Sequence, residues 1–164
     1  MTTDPDAARR FWRRHGTVVY KSVSGVRSIV RRLAASDDDR LDDVRWCPTQ
    51  FQEHIAGVDH RIHVVGEHVF ATRIVAADDD YRYPADGAAP PVVACRVPDA
   101  LTHACVELAR QLRLPLVGID LRLTPSGAWY CFEANPSPAY TWYEHATGQP
   151  IAESLAHLLA RPRC

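Results

Sequence analysis

The segment 116–135 constrains the fold more than any other part of the chain, because apolar and polar residues alternate in it on both sides of a turn. Alternation with a period of two places successive side chains on opposite faces of a strand. One predicted face is apolar and consists of Val117, Ile119, Leu121, Leu123, Ala128, Tyr130, Phe132 and Ala134. The other face consists of Gly118, Asp120, Arg122, Trp129, Cys131, Glu133 and Asn135. The segment therefore predicts a β-hairpin with one buried face.

The register of this hairpin brings polar side chains together. A turn centred on 125–126 places Asp120 opposite Cys131 and makes Glu133 a diagonal neighbour of Asp120. Cβ atoms at diagonal positions lie within about 8 Å of each other, so the oxygens of Asp120, Glu133 and Asn135 can converge on one point. Hard oxygen ligands of this kind suit Mg²⁺ or Mn²⁺. The alternative is that the three side chains face solvent on a half-exposed sheet.

The N-terminal part predicts one helix and one strand. Asp4 and Pro5 begin the helix, with aspartate as the N-cap and proline in the first turn, and Gly16 ends it. The segment 17–21 is rich in β-branched residues and predicts a strand. The acidic segment 36–43 predicts a mobile connection between two lobes.

The rest of the chain predicts a second hairpin and two further helices. An extended segment and a hairpin cover 51–74, with Gly66–Glu67 as a two-residue turn that has glycine first, as a type II′ turn prefers. A long loop follows at 78–91. Apolar residues at helical spacing predict one helix from Pro98–Asp99 onward and a last one over 151–159.

The composition excludes several classes of protein. Of the 164 residues, 46% are hydrophobic and 24% are charged, which is typical of a globular chain. No apolar run of about 18 residues and no apolar N-terminal signal region is present, so we expect a cytoplasmic protein without a membrane partner. The net charge of −1 argues against nucleic acid as a partner, although the arginines between Arg9 and Arg14 leave a nucleic-acid adaptor as one alternative.

The single lysine, the cysteines and one group of aromatic residues each suggest a role. Lys21 is the single lysine among nineteen basic residues, which makes it a candidate phosphate ligand. The five cysteines are widely spaced and lack a C-x-x-C pair, so we expect reduced thiols. Tyr140, Trp142 and Tyr143 suit either stacking on a substrate peptide or packing in the core or an interface.

Several short motifs follow one another along the chain. They are Val19–Ser22, Gln52–Ile55, Gly57–Arg61, Gly118–Asp120, Glu133–Pro138 and Thr147–Ala152. Together they resemble the C-terminal portion of the ATP-grasp superfamily, in its RimK-like and ribosomal-peptide-maturase (graspetide-type) branch. The resemblance implies an α+β fold of two lobes, with an antiparallel sheet and flanking helices, from which the N-terminal part of the family's fold is missing.

The resemblance also implies how the chain is divided and which residues bind nucleotide. An incomplete small lobe would cover 1–46 and a large C-terminal lobe with the metal-binding hairpin would cover 47–164, with the nucleotide between the two lobes. Lys21 would contact the phosphates of ATP. The hinge residues Glu53, His54 and Ile55 would hold adenine and ribose, and Asp59 would join the nucleotide pocket.

The remaining implied roles concern the metal and the reaction. Asp120, Glu133 and Asn135 would bind Mg²⁺ or Mn²⁺. Arg61 shares a strand face with Asp59 and would approach the phosphates or an acyl-phosphate intermediate, as would Arg82 in the long loop.

The activity that the resemblance implies is an ATP- and Mg²⁺-dependent ligation of a carboxylate to an amine or a hydroxyl through an acyl phosphate. The expected partners are ATP and a substrate that is a peptide or receives an amino acid. The missing part of the fold leaves open a homo-oligomer or a separate partner chain. The alternative function is a non-catalytic fragment that binds nucleotide or peptide and needs the missing domain.

Overall fold

The computed structural model describes residues 1–23, 30–75 and 90–160. The chain forms two compact units, one within Met1–Ile55 and the other within Ala56–Ala76 and Pro90–Cys164. The predicted division lay at residue 46. The strand Thr49–Glu53 pairs with Val18–Ser22 of the first unit, so the observed division follows this strand instead of preceding it.

The first unit begins with the predicted helix. Helix α1 covers Pro5–His15, and the Asp4 carboxylate accepts a hydrogen bond from the Asp6 N–H at 2.9 Å. This is the expected N-cap, because the first N–H groups of a helix lack partners within the helix. The N–H of Gly16 donates to the Trp12 carbonyl and closes the last turn. Both predicted helix ends are confirmed.

A three-stranded antiparallel sheet completes the first unit. Strands β1 (Val18–Ser22), β2 (Arg31–Arg32) and β3 (Thr49–Glu53) lie in the order β2-β1-β3. The core of the unit joins helix and sheet residues, namely Ala8, Leu33 and Leu41 with Trp12, Tyr20 and Phe51 packed against them. Burial of these apolar side chains stabilises the unit.

The acidic segment of the first unit differs from its prediction. Residues 36–43 fall in two 3₁₀ helices, Ala35–Asp37 and Asp39–Arg45, and do not connect the two units. Arg9 of α1 donates hydrogen bonds to the Asp38 and Asp42 carboxylates, each at 3.1 Å. This arrangement is hard to predict from the sequence, because Arg9, which neutralises the acidic segment, lies far from that segment along the chain.

A five-stranded antiparallel sheet forms the centre of the second unit, in the order β6-β5-β4-β7-β8. Its strands are β4 (Val58–Val65), β5 (His68–Ile74), β6 (Val92–Cys95), β7 (Leu116–Leu123) and β8 (Trp129–Asn135). Val65 pairs with His68, which confirms the two-residue turn at Gly66–Glu67. Gly66 has a φ of 61°, as the first position of a type II′ turn requires.

Helices cover both faces of this sheet. Helix α2 (Asp99–Gln111) buries Cys105 and Ala109 in the main apolar cluster with Ile62, Val64, Val117, Ile119 and Leu121. Helices α3 (Thr141–Thr147) and α4 (Ile151–Ala160) contact the opposite face, where Tyr143 of α3 meets His63 and Gln149 bonds Thr72. Among the described residues, no helix is long and apolar enough to cross a membrane.

The hairpin formed by β7 and β8 has a different register from the predicted one. Gly127, with a φ of 85°, closes a three-residue loop in which the Thr124 N–H donates to the Ala128 carbonyl. Leu121 pairs with Cys131 on the turn side, but Asp120 pairs with Glu133, so Phe132 is an extra residue that forms a β-bulge. Asp120 is therefore directly opposite Glu133, not diagonal to it, and Cys131 is not opposite Asp120.

The bulge also changes which side chains share a face. Trp129 packs against the apolar cluster, with its ring centroid 4.8 Å from that of His60. Cys131 lies on the same side, because it pairs with Leu121 of this cluster. Burial first, and the neighbouring Cys131 second, raise the pKa of the Cys105 thiol to about 11. Tyr130 instead pairs with Arg122 and is 45% exposed. In β8, the predicted faces are thus wrong between the loop and the bulge and right beyond the bulge.

Candidate functional site

The two carboxylates of the predicted metal site occupy opposed positions on neighbouring strands. Asp120 of β7 pairs with Glu133 of β8, and Gly118 pairs with Asn135 two positions further along. Directly opposed side chains have Cβ atoms about 5 Å apart, and opposed like charges are destabilising unless a cation neutralises them. The Asn135 Oδ1 accepts a hydrogen bond from the Ser137 N–H at 2.8 Å, which fixes the amide at the end of the strand.

A buried arginine contacts one of these carboxylates. Arg61 of β4 pairs in register with Asp120, and its Nη1 donates to Asp120 Oδ1 at 2.6 Å. The Arg61 side chain is only 7% exposed, against 29% for Asp120. A charge-assisted hydrogen bond of this kind is stronger than a neutral one. It places the Arg61 guanidinium beside the predicted metal ligands.

A second ion pair lies next to the first with its charges reversed. Asp59 of β4 pairs with Arg122 of β7, whose Nε and Nη2 donate to the two carboxylate oxygens at 2.7 and 2.8 Å. Both side chains are largely buried, at 12% and 15% exposure. Sequence reasoning missed Arg122 as a site residue. The signal that was available is its charge on the same predicted hairpin face as Asp120.

His63 is a buried neighbour of Arg61 on the same strand. Its side chain is 0% exposed, and its ring centroid is 5.0 Å from that of Tyr143. Burial, and secondarily the Arg61 charge, lower the pKa of His63 to about 4. His63 is therefore neutral near pH 7 and adds no positive charge beside Arg61.

This pKa predicts a dependence of stability on pH. An unfolded histidine has a pKa of about 6.5, so between that pH and about 4 the unfolded chain binds a proton that the folded chain does not. We expect the free energy of unfolding to fall by about 2 kcal/mol between pH 7 and pH 4.5 on account of His63 alone. Urea unfolding of the wild type and of His63→Phe at both pH values measures this difference. An identical pH dependence in the two proteins would contradict it.

The donor set at Asp120, Glu133 and Asn135 fits a hard divalent cation. Three carboxylates and two guanidiniums on this face, those of Asp59, Asp120, Glu133, Arg61 and Arg122, leave one formal negative charge. Mg²⁺ commonly takes one or two carboxylates and completes its shell with phosphate oxygens and water. The described residues contain no cluster of three or more His, Cys, Asp or Glu side chains that could hold a metal by themselves.

The predicted nucleotide residues of the first unit lie on paired strands. Lys21 of β1 pairs with Gln50 of β3, and Val18 pairs with Glu53. Glu53 Oε2 is 3.2 Å from His15 Nδ1.

The other hinge residues follow β3 directly. The His54 N–H donates to the Thr17 carbonyl, His54 Nε2 is 3.2 Å from Arg32 Nη2, and Ile55 is half-buried. Arg82 and most of the predicted loop at 78–91 lie outside the described residues.

The fold matches solved ATP-grasp ligases over nearly the whole chain. The ATP-grasp ligase PsnB, in a complex with a phosphomimetic variant of a minimal precursor, Mg and ADP, is 31% identical with a TM-score of 0.83, over 97% of this chain and 51% of PsnB. The chain has an ATP-grasp fold. Its α+β fold of antiparallel sheets and helices is thereby confirmed as an ATP-grasp fold.

Two further ATP-grasp structures match the same fold. A RiPP-associated ATP-grasp ligase of Chryseobacterium gregarium, in complex with ADP and a leader and core peptide, is 26% identical with a TM-score of 0.86, over 99% of this chain and 54% of that one. The macrocyclase MdnC of Microcystis aeruginosa, bound to precursor peptide MdnA, shares the fold at 23% identity and a TM-score of 0.82, over 96% of this chain and 54% of MdnC. The predicted resemblance to peptide-modifying ATP-grasp ligases is confirmed.

The chain spans about half the length of these ATP-grasp ligases. No protein-family model matches it, and no curated protein sequence matches it.

Proposed function

We propose that this chain is the metal-binding part of an ATP-dependent ligase that joins a carboxylate to an amine or a hydroxyl. The observation that carries the proposal is the Asp120–Glu133 pair beside the buried Arg61, on a fold shared with ATP-grasp ligases. ATP carries about four negative charges, and phosphoryl transfer depends mainly on positioning and on neutralising these charges. A face that combines acidic metal ligands with a fixed guanidinium suits that task.

The metal ligands in this proposal are Asp120, Glu133 and Asn135, and the ion is Mg²⁺ or Mn²⁺. When bound, the ion neutralises phosphate charge and polarises the transferred phosphoryl group. Two of the solved ATP-grasp ligase complexes contain Mg and ADP, which supports this choice. The carboxylates hold the ion, and the Asn135 amide oxygen adds a neutral ligand that keeps the site from becoming too negative for phosphate.

The protein's cationic side chains act on the nucleotide and the intermediate. Arg61 orients Asp120 and stabilises charge on the phosphoryl oxygens, and we assign Arg82 the same kind of role. Lys21 contacts the phosphates. Since Arg122 already holds both oxygens of Asp59, we propose that Asp59 shapes the site through this arginine rather than by touching the nucleotide.

Three further residues hold the nucleoside in this proposal. Glu53, His54 and Ile55 bind adenine and ribose, with the backbone supplying most of the contacts.

The substrate that supplies the carboxylate in this proposal is a peptide. The solved ligases PsnB, MdnC and that of Chryseobacterium gregarium were each determined with a precursor, leader or core peptide. Transfer of the γ-phosphoryl group of ATP to a peptide carboxylate would form an acyl phosphate and release ADP. Attack of an amine or a hydroxyl on the acyl phosphate would then form an amide or an ester and release phosphate. The alternative is a non-catalytic fragment that binds nucleotide or peptide.

Calorimetry with ADP or ATP in the presence of Mg²⁺ tests the proposal. We expect micromolar binding by the wild type that is lost in Asp120→Asn/Glu133→Gln. The control pair Asp99→Asn/Glu153→Gln makes the same chemical changes at exposed positions in α2 and α4 and should bind as the wild type does. Equal binding by both double variants would contradict the proposed metal site. A folded wild type that binds nothing at millimolar nucleotide would favour the non-catalytic fragment.

A further inference from the structure

The Arg61 guanidinium lies in a space that exists because residue 118 has no side chain. A Cβ atom built on Gly118 would be 2.7 Å from Arg61 Nη2 and 2.7 Å from Pro138 Cβ, closer than such atoms approach in folded proteins. Gly118 belongs to β7, the strand that also carries Asp120. The bare backbone at this position therefore lets the guanidinium pass over the strand and reach Asp120 Oδ1 at 2.6 Å.

An aromatic ring from α3 also contacts this guanidinium. The Arg61 Cζ atom lies 5.8 Å from the centroid of the Tyr143 ring, within the range of a cation–π interaction. Tyr143 is 6% exposed, and removal of water strengthens such contacts. Trp142 meets the Tyr143 ring edge-on at 4.7 Å, and His63 meets it at 5.0 Å.

Helix α3 is itself tied to its surroundings, which fixes the ring. The Ala152 N–H of α4 donates to the Glu144 carboxylate at 2.6 Å, and the Gly148 N–H donates to the Glu144 carbonyl at 2.8 Å. Gln149 bonds Thr72 and the Ala71 carbonyl of β5. The Tyr143 ring is thus held relative to the sheet by contacts other than the one it makes with Arg61.

We propose that Tyr143 is a positioning residue that, with the space at Gly118, holds the Arg61 guanidinium on Asp120. This inference rests on the proposed function, in which Arg61 and Asp120 belong to the reacting face. Tyr143 acts through Arg61 and needs no contact with substrate. The sequence left two alternatives for Tyr143, namely stacking on a substrate peptide or packing. In this proposal Tyr143 packs, and its role is to orient the charged group of Arg61.

Solvent exchange of the Arg61 Nε–H, measured by NMR on the full chain without nucleotide, tests the inference. Loss of a desolvated cation–π contact corresponds to about a tenfold change in an equilibrium. We therefore expect about tenfold faster exchange of this proton in Tyr143→Leu, with the backbone amides of Ile62 and Val64 unchanged. Tyr143→Phe keeps the ring and should restore the slow exchange.

Trp142→Leu is the matched control, because it removes an aromatic ring of the same helix and leaves the Tyr143 ring in place, and it should keep the slow exchange of the Arg61 proton. Unchanged Arg61 exchange in Tyr143→Leu would overturn the inference. Equal acceleration of the Arg61 proton and of the β4 backbone amides would also overturn it, since Tyr143 would then be a general stabilising residue. The measurement requires no nucleotide, so its failure is distinct from a failure of nucleotide binding, which would count against the proposed function.

Discussion

Replacement of Asp59 by alanine is expected to lower the free energy of unfolding by about 3–5 kcal/mol, because it removes the carboxylate that faces a buried guanidinium. Both Arg122 nitrogens that bond Asp59 do so at less than 3 Å, and the Arg122 side chain is 12% exposed. Without Asp59, the largely buried guanidinium loses both of these short hydrogen bonds. Urea unfolding at pH 7 measures the loss.

Two control variants separate the loss of the ion pair from the loss of any carboxylate. Glu67→Ala removes an exposed carboxylate at the β4–β5 turn and should change stability by less than about 0.5 kcal/mol. Asp59→Ala/Arg122→Met removes both charges and should recover much of the loss, since replacing a whole buried pair costs less than breaking it. An Asp59→Ala protein as stable as Glu67→Ala would show that this ion pair does not stabilise the sheet.

Replacement of Gly57 by alanine is expected to lower the free energy of unfolding by about 3 kcal/mol, near the upper end for overpacking. A Cβ atom at this position would overlap the Leu123 carbonyl oxygen and lie 2.9 Å from Arg122 Cγ. The overlapping atom is backbone at the end of a paired strand, so it cannot move without breaking the ladder between β4 and β7.

The control for this variant separates steric overlap from backbone preference. Gly148 has a φ of 70° with no atom within 4 Å of an added Cβ, so Gly148→Ala should cost only the left-handed conformation, about 1 kcal/mol. Thermal unfolding of the two variants gives the comparison. Equal losses would contradict a steric role for the close approach at Gly57.

Local chemistry was sufficient to predict most elements of the fold. The Asp4 cap, the Gly66–Glu67 turn and the helical spacing that begins after Pro98 each depend on residues close in sequence, and each is confirmed. The acidic segment 36–43 could not be predicted this way, because its neutralising partner, Arg9, comes from another element. The prediction that this segment is mobile depended on its acidic charge alone.

The face that carries the candidate site residues was easier to predict than the way in which these residues pair. The alternating pattern identified Asp120 and Glu133 as members of one face, and the structure places them directly opposite each other. A strictly alternating pattern does not predict the bulge at Phe132, because one extra residue exchanges the two faces of the strand on only one side of the bulge. The pairing of Arg61 with Asp120 depends on which strands are neighbours, and this order is set by packing of the whole sheet.

The crossed arrangement of the two ion pairs also bears on how accurately the central strands find each other. Asp59 precedes Arg61 on β4, and Asp120 precedes Arg122 on the antiparallel β7. If one strand slid by two residues in one direction, Asp59 would lie opposite Asp120. If it slid by two residues in the other direction, Arg61 would lie opposite Arg122. Repulsion between like charges disfavours both alignments. Sliding by one residue would turn these charges into the apolar cluster. The charges of these four side chains thus make each of the nearest incorrect registers of β4 and β7 less stable than the native register while the sheet assembles.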